Sequence, residues 1–141
     1  MVVLSACHSP AEKIVEAKDK LLESRENATE AKNDLEQSEK DASLKAQNDF
    51  VIEWGKFKDE SEKKINDNDR NLARLKASNA HRHKYMKADY QKAIDNIQRK
   101  NENLKSRLAD FERNKSESLN AFKRRFNNDI NEVVKSLENI K

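Results

Sequence analysis

Few side chains in this sequence have the types and spacings that chemistry requires. The only cysteine, Cys7, lies beside His8, and two further histidines, His81 and His83, flank Arg82. Helical residues two positions apart point about 200° apart, so His81 and His83 could share a metal ion only from a loop. Cys7 has no evident His and Asp partners that would activate a thiol nucleophile. We therefore predict no catalytic residue, no cofactor and no metal site.

The segment FKRRFNN, which begins at Phe122, places basic residues between two aromatics. Such interleaving can bind single-stranded nucleic acid. On a helix, however, Phe122 and Phe126 are four positions apart and share one face. The cations Lys123, Arg124 and Arg125 then lie on the outer face. The segment therefore favours helix packing with a solvated basic flank, and we expect nucleic acid not to be a partner.

The composition predicts the all-α fold class. Charged residues make up 39% of the 141-residue chain and hydrophobic residues 35%, which suits narrow apolar stripes on helices better than a wide layered core. The chain has one Gly and one Pro, whereas turn-rich β folds need such residues throughout. Residues 1–70 carry 12 basic and 17 acidic side chains, and residues 71–141 carry 17 and 9. Antiparallel helices would bring these oppositely charged halves together.

Apolar and small residues recur with alternating spacings of three and four, the pattern of a coiled-coil heptad. The first part of this pattern, here called the amino-terminal stripe, is weak because most of its members are Ala or Ser. It consists of Ile14, Ala17, Leu21, Ser24, Ala28, Ala31, Leu35, Ser38 and Ala42.

From Trp54 onward the same rhythm carries larger side chains and predicts a helix-packing seam. Asn101 interrupts it at a seam position, where an asparagine either fixes the register of two helices or faces water. The predicted seam residues are Trp54, Phe57, Ile65, Leu72, Ile97, Leu104, Leu108, Phe111, Phe122, Phe126 and Ile130.

The most favourable turn lies near residues 77–84, where Asn79 can adopt the left-handed conformation that ends helices. A single turn there predicts a long antiparallel helical hairpin or coiled coil. The alternative is a four-helix antiparallel bundle with further turns near residues 48 and 115.

The stretch L-S-A-C at Leu4–Cys7 resembles the lipobox of bacterial lipoprotein precursors. The resemblance implies cleavage before Cys7, lipid attachment to Cys7, and recognition of Leu4, Ser5 and Ala6 by the peptidase. Only six residues precede Cys7 and none is basic, whereas a signal peptide has a basic start and a longer apolar stretch. Either the true start lies upstream or the match is accidental.

Two longer segments, EWGKFKDESEKKINDNDRNLARLK and LNAFKRRFNNDINEVVKSLENIK, resemble parts of small coiled-coil proteins of Bacteroidetes. Those proteins are described as stress-response proteins of a type first named in cyanobacteria, and some begin with a lipobox. The resemblance covers about residues 11–141. It implies a helical, stress-associated protein without a known catalytic residue.

Together these features predict a signal remnant and tether over residues 1–10 and one elongated helical coiled-coil domain over 11–141. We expect a non-enzymatic lipoprotein that is held to a membrane through Cys7. It would face the periplasm or the exterior and act as a structural, scaffold or stress-response interaction module. A protein partner or self-association would use the helical seam. The alternative is a soluble cytoplasmic coiled-coil protein that binds nucleic acid or anionic membrane through its basic C-terminal half.

Overall fold

The computed structural model describes residues 9–140, and this part of the chain forms three α-helices and no β-strand. Helix α1 spans Pro10–Asn79, α2 spans Lys84–Asn114 and α3 spans Leu119–Asn139. The predicted all-α class is therefore confirmed. No helix in the described range is long and apolar enough to cross a lipid bilayer.

Helix α1 begins at a reciprocal cap. The Ser9 N–H donates to Glu12 Oε2 at 2.7 Å, and the Glu12 N–H donates to Ser9 Oγ at 3.3 Å. This pair satisfies two backbone donors that the first helical turn cannot pair internally. Pro10, at the first helical position, has no N–H to satisfy and has a backbone already restricted to helical φ.

The break between α1 and α2 falls at residues 80–83, within the range predicted for a turn. The predicted left-handed conformation of Asn79 is wrong, because only Lys115 has a positive φ among the described non-glycine residues. Asn79 is instead 2% exposed, and its Nδ2 donates to Gln91 Oε1 at 3.0 Å. The side chain thus joins the end of α1 to the second turn of α2.

A second break separates α2 from α3, so the predicted hairpin is wrong in treating residues 84–141 as one arm. Lys115 adopts the left-handed conformation, with φ 42° and ψ 44°, and its N–H donates to the Phe111 carbonyl at 2.9 Å. Ser118 then caps α3, because its Oγ accepts from the Ala121 N–H at 3.2 Å. These two residues end one helix and start the next without Gly or Pro.

The four-helix alternative predicted this break near residue 115, but its other turn, near residue 48, is absent. Helix α1 continues through Asn48, since its neighbours Ala46, Gln47 and Phe50 include no residue that forbids helical backbone. Asn and Asp weaken a helix interior by only a few tenths of a kcal/mol, roughly 0.7 at most. A pair such as Asn48–Asp49 is therefore insufficient to end α1.

Residue contacts divide the described part of the chain into two units, with the boundary between Asn48 and Asp49. In the first unit, residues 10–48 are helical and every side chain among them is exposed. In the second unit, α1 from Asp49 onward packs with α2 and α3 around one core. Helix α2 is antiparallel to α1: Lys58 pairs with Glu112 near one end of the unit, and Asn79 with Gln91 near the other.

Candidate functional site

The predicted seam residues of the second unit come together in one core, and its aromatic members lie at one end. Helix α1 supplies Trp54 and Phe57, α2 supplies Phe111, and α3 supplies Phe122 and Phe126. The rings of Phe111 and Phe122 stack with centroids 4.2 Å apart, and Trp54 lies 4.9 Å from Phe111. Phe57 meets Phe126 edge-on at 5.6 Å. The cluster therefore joins all three helices at this end.

Aliphatic side chains continue the core away from the aromatic end. The remaining predicted members, Ile65, Leu72, Ile97, Leu104, Leu108 and Ile130, are all less than 5% exposed. Ile94, Val133 and Leu137, which continue the same stripe, are also buried. They follow the same spacing of three and four, which is the signal that identifies them. This core is filled by side chains of the chain itself.

Two asparagines form a buried polar layer within the aliphatic part of the core. Asn68 Nδ2 donates to Asn101 Oδ1 at 3.0 Å. Asn101 Nδ2 donates in turn to the Ile65 carbonyl at 3.2 Å and to Asp69 Oδ1 at 2.7 Å. Asn101 was predicted either to fix the register of two helices or to face water. Its side chain is fully buried, so it does not face water. A buried asparagine pair favours one register between two helices.

Ion pairs flank the core on its solvent side. Lys58 Nζ lies 2.8 Å from a Glu112 oxygen, and this hydrogen bond is the main reason that the pKa of Glu112 is lowered and that of Lys58 raised. The Trp54 indole N–H also contributes to lowering the pKa of Glu112, although its geometry falls outside a normal hydrogen bond. The Glu112 carboxylate thus links α1 and α2 beside the aromatic cluster.

The basic flank of α3 is largely paired with carboxylates. Lys123 Nζ lies 2.7 Å from Glu53, and Arg125 pairs with Glu117, while Arg124 is exposed. Phe122 and Phe126 are buried. The FKRRFNN segment therefore has the predicted arrangement of packed aromatics with cations outside.

The histidines do not form a metal site in the described part of the chain. His81 and His83 lie exposed in the connection between α1 and α2. No cluster of three His, Cys, Asp or Glu side chains among the described residues has the geometry to hold a metal ion. Cys7, the predicted lipidation site, and Leu4, Ser5 and Ala6 lie outside the described residues.

The amino-terminal stripe has no covering helix within the unit that contains it. Ile14 is 59% exposed, Leu21 54% and Leu35 59%. By contrast, no residue of the predicted seam in the second unit exceeds 7% exposure. The same heptad rhythm therefore marks a closed core in one unit and an open face in the other.

No family model, no curated protein and no solved structure matches this chain.

Proposed function

We propose that this protein is a non-enzymatic lipoprotein, tethered to a membrane through Cys7, that acts as a structural, scaffold or stress-response interaction module. The observation that carries the proposal is the uncovered apolar face on residues 14–42, which follow the lipobox-like stretch directly in the chain. A large exposed apolar face normally marks an interaction surface. The second unit, in contrast, packs its apolar residues against one another.

Cys7 would supply the anchor, and the residues between it and the start of α1 at Pro10 would supply the tether. Acyl chains bind a bilayer with about 0.8 kcal/mol for each buried CH₂, so more than one chain holds a protein stably. This assignment places the protein in the cell envelope, facing the periplasm or the exterior. The helices then act as a body that carries the exposed face to a partner, and no step of catalysis is required of them.

Detergent-phase partitioning tests the anchor. The full precursor, with the genomic sequence upstream of Met1, would be expressed in a bacterium and labelled with a clickable fatty acid. We expect wild type to enter the detergent phase and carry label, and Cys7→Ser to stay aqueous and unlabelled. His8→Ser, which keeps the cysteine, is the matched control and should behave as wild type. Equal partitioning of wild type and Cys7→Ser contradicts the proposal.

The alternative is a soluble cytoplasmic protein whose basic C-terminal half binds nucleic acid or anionic membrane. The excess of 17 basic over 9 acidic residues in 71–141 favours it. The ion pairs weaken it, because Lys100, Arg107 and Lys123 already face carboxylates of Glu132, Asp129 and Glu53. Phosphate contacts give steep salt dependence. A mobility shift with single-stranded DNA that disappears on adding salt would support this alternative, and no shift at low salt would remove its nucleic-acid form.

A further inference from the structure

The amino-terminal stripe is exposed, and the sizes of its side chains indicate what packs against it. Read as a heptad, Ile14, Leu21 and Leu35 occupy the first core position, a, together with Ala28 and Ala42. The second core position, d, holds only small residues. These are Ala17, Ser24, Ala31 and Ser38.

This segregation suits antiparallel pairing with a second copy. In a parallel pair, a faces a and d faces d, so layers of two large residues would alternate with layers of two small ones and leave gaps. In an antiparallel pair, a faces d. With positions that sum to 52 opposite each other, Ile14 faces Ser38 of the second copy, Leu21 faces Ala31, and Leu35 faces Ala17. Six of the eight core layers between positions 14 and 38 hold one large and one small residue, the two central layers pair Ala28 with Ser24, and no layer holds two large residues.

The charges that flank the stripe lead independently to the same orientation. The position before each a residue, g, holds Lys13 and Lys20 near the start and Asp34 and Asp41 near the end. In the antiparallel arrangement, Lys20 faces Asp34 of the second copy and Lys13 faces Asp41, which gives four attractive contacts per dimer. The opposite edge, through Lys18, Arg25 and Lys32, brings three repulsive contacts.

A parallel arrangement is electrostatically less favourable than the antiparallel one. There, each g residue faces the residue five positions later in the second copy. Lys13 would then face Lys18, Lys20 would face Arg25, and Asp34 would face Glu39. All six such contacts in the dimer are between like charges and none is attractive. Repulsion of this kind selects against a pairing mode.

We infer that residues 14–42 pair with the same segment of a second copy as an antiparallel two-stranded coiled coil. Cys7 lies outside this segment, so the pairing does not depend on a lipid anchor. This pairing makes a second copy of the chain the partner of the exposed face on which the proposed function rests. Its failure is distinguishable from failure of the anchor, because the experiments below use an unlipidated chain.

Measurements of molecular mass, combined with charge-reversal variants, test the pairing in the full-length Cys7→Ser protein. Sedimentation equilibrium should show a concentration-dependent rise from 16.4 kDa towards twice that mass. Lys20→Glu should raise the dissociation constant by about fivefold or more, because two attractive contacts become repulsive. Adding Asp34→Lys should restore it. Lys40→Glu, on the outer face of the same helix, is the matched control and should leave association unchanged.

Three results would overturn the inference. A monomer at every concentration removes the pairing. Tighter association of Lys20→Glu indicates the parallel arrangement, in which the new glutamate would face Arg25. Association that is insensitive to both Lys20→Glu and Leu21→Ala places the contact elsewhere.

Disulfide trapping tests the orientation directly. Leu21→Cys and Ala31→Cys would be introduced into separate, differently tagged Cys7→Ser chains. Antiparallel pairing brings these two positions into one layer, within the short Cα separation that a disulfide requires. We expect a cross-linked heterodimer and little of either homodimer. Two homodimers without the heterodimer would show parallel pairing and overturn the inference.

Discussion

Asn68 donates a hydrogen bond from Nδ2 to Asn101 Oδ1 at 3.0 Å, across the buried interface between α1 and α2. Asn68 is 2% exposed and Asn101 fully buried, so water does not substitute for either partner. Because Asn101 also donates to the Ile65 carbonyl, its amide is held from two sides. The layer therefore sets which residues of α1 lie opposite which residues of α2.

Breaking this layer on one side should cost more than removing it. Asn101→Leu leaves the Asn68 donor buried without a partner, which costs about 1–3 kcal/mol. The double variant Asn68→Leu/Asn101→Leu replaces both amides with apolar groups, and we expect it to recover most of that loss. Urea denaturation of the two single variants and the double variant measures the coupling. Additive losses would contradict the pairing.

The aromatic cluster should be the most sensitive part of the second unit. Phe122 contacts Phe111 at 4.2 Å and lies 6.0 Å from Trp54, so Phe122→Ala opens a cavity among three helices. The expected loss is about 3–5 kcal/mol of unfolding free energy. Near-ultraviolet circular dichroism should lose signal from Trp54 at the same time. Met86→Ala, at a side chain 50% exposed on α2, is the control and should change stability by less than about 0.5 kcal/mol.

The Glu112–Lys58 pair should make stability depend on pH at both extremes. The folded pKa of Glu112 is lowered from 4.5, so its contribution is present above that value and is lost as pH falls through the folded pKa. The folded pKa of Lys58 is raised from 10.5, so its contribution is present below that value and is lost as pH rises through the folded pKa. Between these limits the pair is intact.

Glu112→Gln should therefore be less stable than wild type near neutral pH, and the difference should shrink as pH falls below 4.5. Urea denaturation across this range measures it. Asp110→Asn, which removes an exposed pair with Arg113 inside α2, is the matched control and should lose less stability at neutral pH. A difference that stays constant down to acid pH would show that Glu112 acts through something other than its charge.

Lys115 should tolerate glycine and reject a β-branched residue. Its left-handed backbone, φ 42°, costs a side chain that branches at Cβ more than it costs lysine. We expect Lys115→Val to lose about 1–2 kcal/mol. Lys115→Gly relieves the backbone but gives up the cation of Lys115 over the Phe50 ring, 4.6 Å away, so it should stay close to wild type. Thermal melts of both variants test this, and equal losses would contradict it.

The three-four spacing was sufficient to predict the all-α class and the buried seam from Trp54 to Ile130. It also placed Asn101 at a seam position, and the same spacing puts Asn68 on the packing face of α1. Their mutual hydrogen bond could not be predicted, because it depends on the register between two helices, which spacing within one helix does not contain. The position of the first turn was predicted, although the left-handed conformation of Asn79 on which that prediction depended is absent.

The second turn was uncertain for a physical reason. Lys115 takes a conformation that glycine usually supplies, so the residue type carries no warning of the break. The amino-terminal stripe shows a different limit of prediction from sequence. Its spacing matches that of the seam, but a periodic pattern does not say whether the covering helix belongs to the same chain. Only the exposure of Ile14, Leu21 and Leu35 in the structure raises that question.

Cutting the chain between the two units should give two fragments of very different stability. All core residues lie between Phe50 and Ile140, so a fragment that begins at Asn48, which can cap the shortened helix, keeps the whole core. We expect it to unfold cooperatively, within about 1 kcal/mol of the full chain.

The complementary peptide, residues 9–47, should behave differently. It keeps its Ser9–Glu12 cap but has no buried contacts, and helices without tertiary packing are marginal in water. Its helicity by circular dichroism should be low when dilute and rise with concentration as copies pair. In the full chain, amide exchange over residues 14–42 should slow with concentration while exchange in α2 does not. Concentration-independent exchange in both regions would show that the amino-terminal helix stands without a partner.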